Sequence, residues 1–324
     1  MRVGLLLLGL LFLLPVFTVT MVRGQRDSEQ PEEPIQLLPP GEMDSARTLR
    51  VLDGGTVTEM SFSDYLQGVL RAEMPASFAQ DALCAQAVAA RTYTCYKMSS
   101  GGSHGDTADI CTDHTCCQAF LAKEKAAENW GKNAERYEAR IENAVSATDG
   151  QVMLYGGTPI LAVFHSSSAG ETWNSGEVWA QDLPYLQSVS SPEGEGVPNY
   201  YSTVALTEAE FRETFLAARP EADLSGPASG WVRDPVMDGV HVESITIGGV
   251  AVSGPSVRSI FGLRSASFTV EAGDGKITFH VTGYGHGVGL SQYGANAMAE
   301  SGSSWQEILA HYYTGVTLGP WTGA

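Results

Sequence analysis

Positive charge is scarce in this chain. Its 324 residues carry 19 lysines and arginines against 37 aspartates and glutamates, giving a formal net charge of −18 and an isoelectric point near 4.7. Such a surface repels a polyanion, so DNA and RNA are excluded as expected partners. An even set of cysteines is also missing. Five cysteines (Cys84, Cys95, Cys111, Cys116 and Cys117) cannot close a complete disulfide framework. Cys84 and Cys95 fall on one predicted helix, about 16 Å apart at 1.5 Å per residue, whereas a disulfide needs Cα atoms within about 7 Å. They read as core thiols. No internal repeat is found, and helices and hairpins are segregated rather than alternating, which leaves α+β as the fold class.

What is present is ordinary in bulk: 43% hydrophobic and 17% charged residues, enough for one large domain or two small lobes. From Val3 to Val22 there is no charge, a run matching a bilayer core of about 30 Å. It lacks a small-residue cleavage site of the A-x-A kind. Residues 1–23 therefore read as an uncleaved single-pass anchor, with the bulk of the chain outside the cytoplasm. Residues 24–47 are acidic and proline-rich and read as a tether. Residues 48–324 read as one folded domain, two-lobed, with helices and antiparallel hairpins around a substrate groove.

Within that domain, Asp53-Gly54-Gly55 predicts a hairpin turn. "SFSDYLQGVLRAE" predicts a short amphipathic helix ending where Met74 precedes Pro75, because a residue before proline avoids the helical region. Ser77 and Gln80 have the spacing of a capping box for a second, alanine-rich helix. A helix is predicted over 133–147, a hairpin around Gly156-Gly157, a helix over 206–218 and strand pairs over 241–255 and 265–283. A last helix is capped by Ser303 and Gln306.

Glu73 is the residue that points to chemistry. It sits at the carboxyl end of the first helix, where the dipole disfavours a second negative charge, next to Met74 and Pro75, which add desolvation. Both keep a carboxyl protonated near neutral pH, and a protonated carboxyl beside a glycosidic oxygen is a general acid. The plainer reading is a solvated helix-end glutamate. Arg71, two residues away, does not face Glu73 on the helix.

Four segments in order carry a resemblance: "DYLQGVLRAEMPASF" with "DALCAQAVAARTYTCYKM", then "CTDHTCCQAF", "FHSSSAGETWNSGEVWAQDLPYLQSVSSP" and "GYGHGVGLSQYGANAMAESGSSWQEILAHYYTGVTL". Together they resemble the stage II sporulation protein D family (the SpoIID/LytB domain). That family includes lytic transglycosylases acting on peptidoglycan glycan strands. The resemblance implies that Glu73 is the catalytic acid, protonating the oxygen between N-acetylmuramic acid and N-acetylglucosamine. The same carboxylate then takes the proton of the sugar's own C6 hydroxyl as a 1,6-anhydro ring closes. It further implies action during engulfment, between mother-cell and forespore membranes, with a SpoIIP-type amidase/endopeptidase and a SpoIIM-type membrane protein as partners.

"SHGDTADICTDHTCCQAF" gathers His104, Cys111, Cys116 and Cys117, with His114 between. A soft nitrogen and sulfur set suits tetrahedral zinc. Relatives that resemble this segment are expected to bind zinc there, with a histidine usual where Cys116 stands. The fourth ligand is left between Cys116, water and His114, and the metal's role between orienting the cleft and a structural clip. Further substrate-binding candidates are Arg71, Arg91 and Tyr93 on the helices; His165, Ser166 and Ser168 in "HSSSAG"; and His286, Ser291, Gln292 and Tyr293 in "GYGHGVGLSQYGA". Each also has a reading as packing. Two alternative functions remain: a non-catalytic amidase enhancer that binds the wall, and a zinc amidase, which the cysteine-rich set fits poorly.

Overall fold

A computed structural model of the protein describes residues 35–101, 104–179, 181–321 and 323. The uncharged run read as a membrane anchor lies outside the described residues. Among the described residues, no helix is long and apolar enough to cross a membrane.

The first lobe begins earlier than expected. Helix α1 (Glu42–Ala46) falls in the stretch read as tether, and its Asp44 is buried. Strands β1 (Thr48–Asp53) and β2 (Thr56–Ser61) form the hairpin turning at Gly54-Gly55. Ser61 then caps α2 (Phe62–Glu73), its hydroxyl accepting the Asp64 N–H at 3.0 Å. Phe62, Tyr65, Leu66, Val69 and Leu70 recur three and four apart and bury one face. The next helix, α3 (Gln80–Ser99), begins without the Ser77 cap. A turn closed by Phe78 N–H on the Pro75 carbonyl holds the chain outside the helix, and the Ala79 N–H is satisfied by Asn296 Oδ1 at 2.8 Å. Alanines let α3 lie buried along most of its length, against α2 and elements introduced below. Cys84 and Cys95 are free, buried thiols on it.

Strand β3 (Ile110–Cys111) pairs in parallel with β1. Helix α4 (Lys123–Trp130), which no sequence signal announced, precedes α5 (Ala134–Ala147). Strands β4 (Gln151–Tyr155) and β5 (Thr158–Pro159) form the second expected hairpin, followed by β6 (Phe164–His165) and the short α6 (Ser175–Val178).

A second core occupies 201–282. Strands β7 (Tyr201–Thr207), β11 (Phe268–Gly273) and β12 (Lys276–Thr282) form one antiparallel sheet, and β8 (Val232–Asp238), β9 (His241–Ile247) and β10 (Val250–Ser253) another. Between them α7 (Glu208–Ala218) and α8 (Gly254–Phe261) bury Phe211, Phe215 and Phe261 with Trp231, Phe268 and Phe279. The helix expected from 206 starts at Glu208 because Thr207 caps it in a full capping box with Glu210. The chain then returns to the first lobe as β13 (Leu290–Ser291), α9 (Gln292–Glu300), α10 (Trp305–Tyr312) and β14 (Thr317–Pro320). Strand β13 lies parallel to β6, and β14 antiparallel to β4. The cap of α10 is Ser304 with Glu307, one residue beyond the Ser303–Gln306 pair the spacing suggested. Helices α9 and α10 cover α3.

Arg91 is not among the residues that line the cleft beside Glu73. It is 1% exposed on α3, with its Nη2 2.7 Å from Asp44 Oδ2 and its Nη1 donating to the Gln151 carbonyl at 3.1 Å. It pins the expected tether onto the domain. Replacing Asp44 by alanine leaves a buried guanidinium unpaired, and about 3–5 kcal/mol of stability is expected to be lost, read as a lower urea midpoint. An unchanged midpoint would contradict this account.

Arg71 is likewise committed elsewhere. Its Nε lies 3.0 Å from Glu138 Oε2, and both side chains are nearly buried. Burial alone would raise the Glu138 carboxyl, but Arg71 and then Lys123 hold it below its ordinary 4.5. A depressed carboxylate contributes stability that is present above the unfolded value and lost as pH falls through the folded one. Glu138→Gln is therefore expected to lower the melting temperature at pH 7, with the gap to the unaltered protein closing below about pH 4. A gap that stays constant down to pH 2.5 would rule this out.

Candidate active site

Helix α2 ends at Glu73 because Pro75 cannot continue it, and this leaves the carboxyl on the wall of a cleft of about 590 Å³. One wall is Glu73 with Cys117 and Gln118; the other is built from Phe164, His165 and the Tyr284–His286 loop, with Arg258 arriving from α8. Glu73 is half-buried, and its Oε1 accepts the Ala119 N–H at 3.0 Å. Its pKa is raised, chiefly by burial, against the opposing Ala119 N–H, Gln292 and His114. Among the described residues, Glu73 is the sole carboxylate in the cleft lining.

The opposite wall owes its shape to the pairing of β6 with β13, which sets His165 opposite Ser291. His165 donates from Nδ1 to the Val288 carbonyl at 3.2 Å, since a carbonyl only accepts, and its Nε2 faces the Ser168 hydroxyl at 2.9 Å. His286 donates from Nε2 to the Phe164 carbonyl at 3.0 Å and accepts the Val288 N–H at Nδ1. Burial, then the neighbouring His286, pushes His165 well below 6.5, and burial, then Arg258, pushes His286 down to about 4. Both rings are neutral at pH 7 and brace the wall. Gly285 is required there: its φ is +128° and a Cβ would stand 2.5 Å from the His165 Cβ.

The remaining candidates divide. Tyr93, Ser166 and Gln292 line the cleft. Tyr293 packs its ring edge-on against Phe78 at 4.9 Å and donates its N–H to the Ser166 carbonyl. Ser168 and Ser291 are buried and face inward instead, both onto Glu193. The Ser168 N–H donates to Glu193 Oε1 at 2.6 Å, and the Ser291 hydroxyl donates to the same oxygen while accepting the Gly294 N–H as the α9 cap. Glu193 escaped sequence reading because it sits in a loop with no periodic or motif signal. Arg258 escaped because it falls in an ordinary amphipathic helix.

His104, Cys111, Cys116 and Cys117 converge. Their ligand atoms all lie within 4.8 Å of one another, with His104 Nε2 3.6 Å from Cys116 Sγ and 3.8 Å from Cys117 Sγ, and the two sulfurs 3.8 Å apart. A tetrahedral ion with bonds of about 2.3 Å to sulfur sets its ligands roughly 3.5–3.8 Å apart, so the donor set fits. Of the three options for the fourth position, Cys116 joins the cluster, while His114 lines the cleft.

A profile of the stage II sporulation protein family matches residues 53–155. Stage II sporulation protein D of Bacillus amyloliquefaciens is 36% identical over 264 residues, 81% of this chain and 75% of that protein. Its counterpart in Bacillus subtilis is 34% identical over 81% of this chain and 76% of its own length. An amidase enhancer of Bacillus subtilis is 30% identical over 78% of this chain but only 40% of its own length. On these likenesses, the chain belongs to the stage II sporulation protein D family.

Proposed function

We propose that the protein is a lytic transglycosylase that cleaves peptidoglycan glycan strands during sporulation. The observation that carries this reading is a single raised-pKa carboxyl in the cleft. A hydrolase of the usual kind needs two carboxyl groups about 5–10 Å apart, and the second is absent from the described lining. One acid suffices when the nucleophile belongs to the substrate. Protonated Glu73 gives its proton to the oxygen linking N-acetylmuramic acid to N-acetylglucosamine, and the C–O bond breaks toward an oxocarbenium-like state. The carboxylate left behind takes the proton of the muramic C6 hydroxyl as that oxygen closes on C1. The proton count of Glu73 is restored, and no water is consumed.

His104, Cys111, Cys116 and Cys117 would hold zinc; four protein ligands leave no open position, so the ion would supply rigidity. The chain's own residues do the rest: Cys117 to Ala119 carry that rigidity to the N–H that holds Glu73. Anchoring by the run at 3–22, and work beside a SpoIIP-type amidase/endopeptidase and a SpoIIM-type membrane protein, complete the proposal. Mass spectrometry of digested glycan is expected to find 1,6-anhydro ends; reducing ends alone would make the enzyme a hydrolase. The likeness to an amidase enhancer favours a second reading, wall binding that activates another enzyme. Purified Glu73→Ala protein separates them, because an enhancer keeps its effect.

A further inference from the structure

Arg258 is the one lysine or arginine among the residues that line the Glu73 cleft. It projects from the last turn of α8, a helix fixed by Ser253 at its start and by left-handed Gly262 at its end. Its Nε donates to the Arg264 carbonyl at 3.1 Å, which fixes the plane of the guanidinium. Arg264 in turn lies over the Tyr284 ring at 5.2 Å, at the same wall. Among the described residues, neither Nη of Arg258 has a hydrogen-bond partner and no carboxylate pairs with it, in a chain where acids outnumber bases by 37 to 19. The group is half-buried. A partly desolvated cation without a partner is costly to hold in a cleft unless a ligand completes it.

Two parallel N–H donors of a planar guanidinium match the two oxygens of a carboxylate. On the reading that this cleft takes wall glycan, we infer that Arg258 binds a carboxylate carried by the strand, and so sets which strands are accepted. N-acetylglucosamine has no such group. N-acetylmuramic acid has one on its lactyl ether when no peptide is attached, and a peptide-bearing strand has others on the peptide. Arg258 thus supplies specificity from the second lobe, while Glu73 supplies the proton from the first.

The test is calorimetric titration of the full chain carrying Glu73→Gln, so that no ligand is consumed, with and without Arg258→Gln. Three ligands are compared: chitotetraose, a peptide-free tetrasaccharide of alternating N-acetylglucosamine and N-acetylmuramic acid, and the same tetrasaccharide bearing its peptides. Arg258→Gln is expected to weaken the peptide-free muramic ligand about 10- to 100-fold, as loss of a charged hydrogen-bonded pair does, and to leave chitotetraose within about twofold. A loss confined to the peptide-bearing ligand also supports carboxylate recognition and assigns the group to the peptide. An equal loss on all three ligands, or on none, overturns the inference. Missing 1,6-anhydro products would sink the transglycosylase reading and leave this binding contrast standing.

Discussion

Glu73→Gln protein is expected to bind glycan and to cut it at least about 10²- to 10⁴-fold more slowly, the range by which general acid catalysis contributes. The substitution is nearly isosteric. A glutamine carbonyl oxygen can keep the Ala119 N–H that Glu73 Oε1 accepts at 3.0 Å, so the wall of the cleft retains its shape. What disappears is the transferable proton. The melting temperature should stay close to that of the unaltered protein, and chromatography of released anhydro-muropeptides should show the loss. In the proposed mechanism the acid form is the active one, and burial raises its pKa. In the unaltered enzyme, bond cleavage should therefore persist above the ordinary carboxylate range and decline as pH rises through the raised value. Undiminished digestion by the amide variant would end the case for this residue.

Removal of the proposed zinc is expected to have the second large effect. Structural zinc in small cysteine–histidine modules contributes about 10–16 kcal/mol of apparent binding energy. In this protein the cluster joins β3, through Cys111, to the loop of His104, Cys116 and Cys117. Losing even about 5 kcal/mol would lower the melting temperature by roughly 10–20 °C. Dialysis against a strong chelator, or Cys117→Ser, should produce that fall and uncouple Ala119 from Glu73, so cleavage fails too. Elemental analysis should give one zinc per chain before treatment and none after. Protein that contains no metal as purified under reducing conditions, yet melts at the same temperature with and without chelator, would mean the thiols simply pack.

Glu73 could be found in the sequence because a proline fixed the end of its helix to within a residue, and a helix end is a place where a carboxyl is disturbed. The zinc-type cluster could be found because its ligands crowd into a short segment. Arg71 and Arg91 misled for a common reason: a charged residue inside a motif gives no sign of whether it faces a cleft or a buried acid. Their partners, Glu138 and Asp44, lie 67 and 47 residues away. Asp44 was further disguised by its neighbourhood, since a polar, proline-rich stretch reads as tether even when one buried pair docks it. Hairpins at Gly54-Gly55 and Gly156-Gly157 were plain from turn chemistry alone. The inward-facing Ser168 and Ser291 were not, because Glu193 binds both across a distance no local pattern records.

The return of the chain to its first lobe has a consequence for how the molecule is made. The Gly283 N–H bonds the Tyr200 carbonyl at 2.8 Å, so the second lobe enters and leaves through one doorway. Helices α9 and α10, which cover α3, and β14, which pairs with β4, all come after it. During synthesis from the amino end, the alanine-rich helix thus packs on α2, α5 and β4 but waits for its α9 and α10 cover while the inserted lobe is completed. The wall that faces the glutamate is complete only once Tyr284–His286 and β13 have followed the inserted lobe, so a chain stopped inside that lobe lacks the cleft.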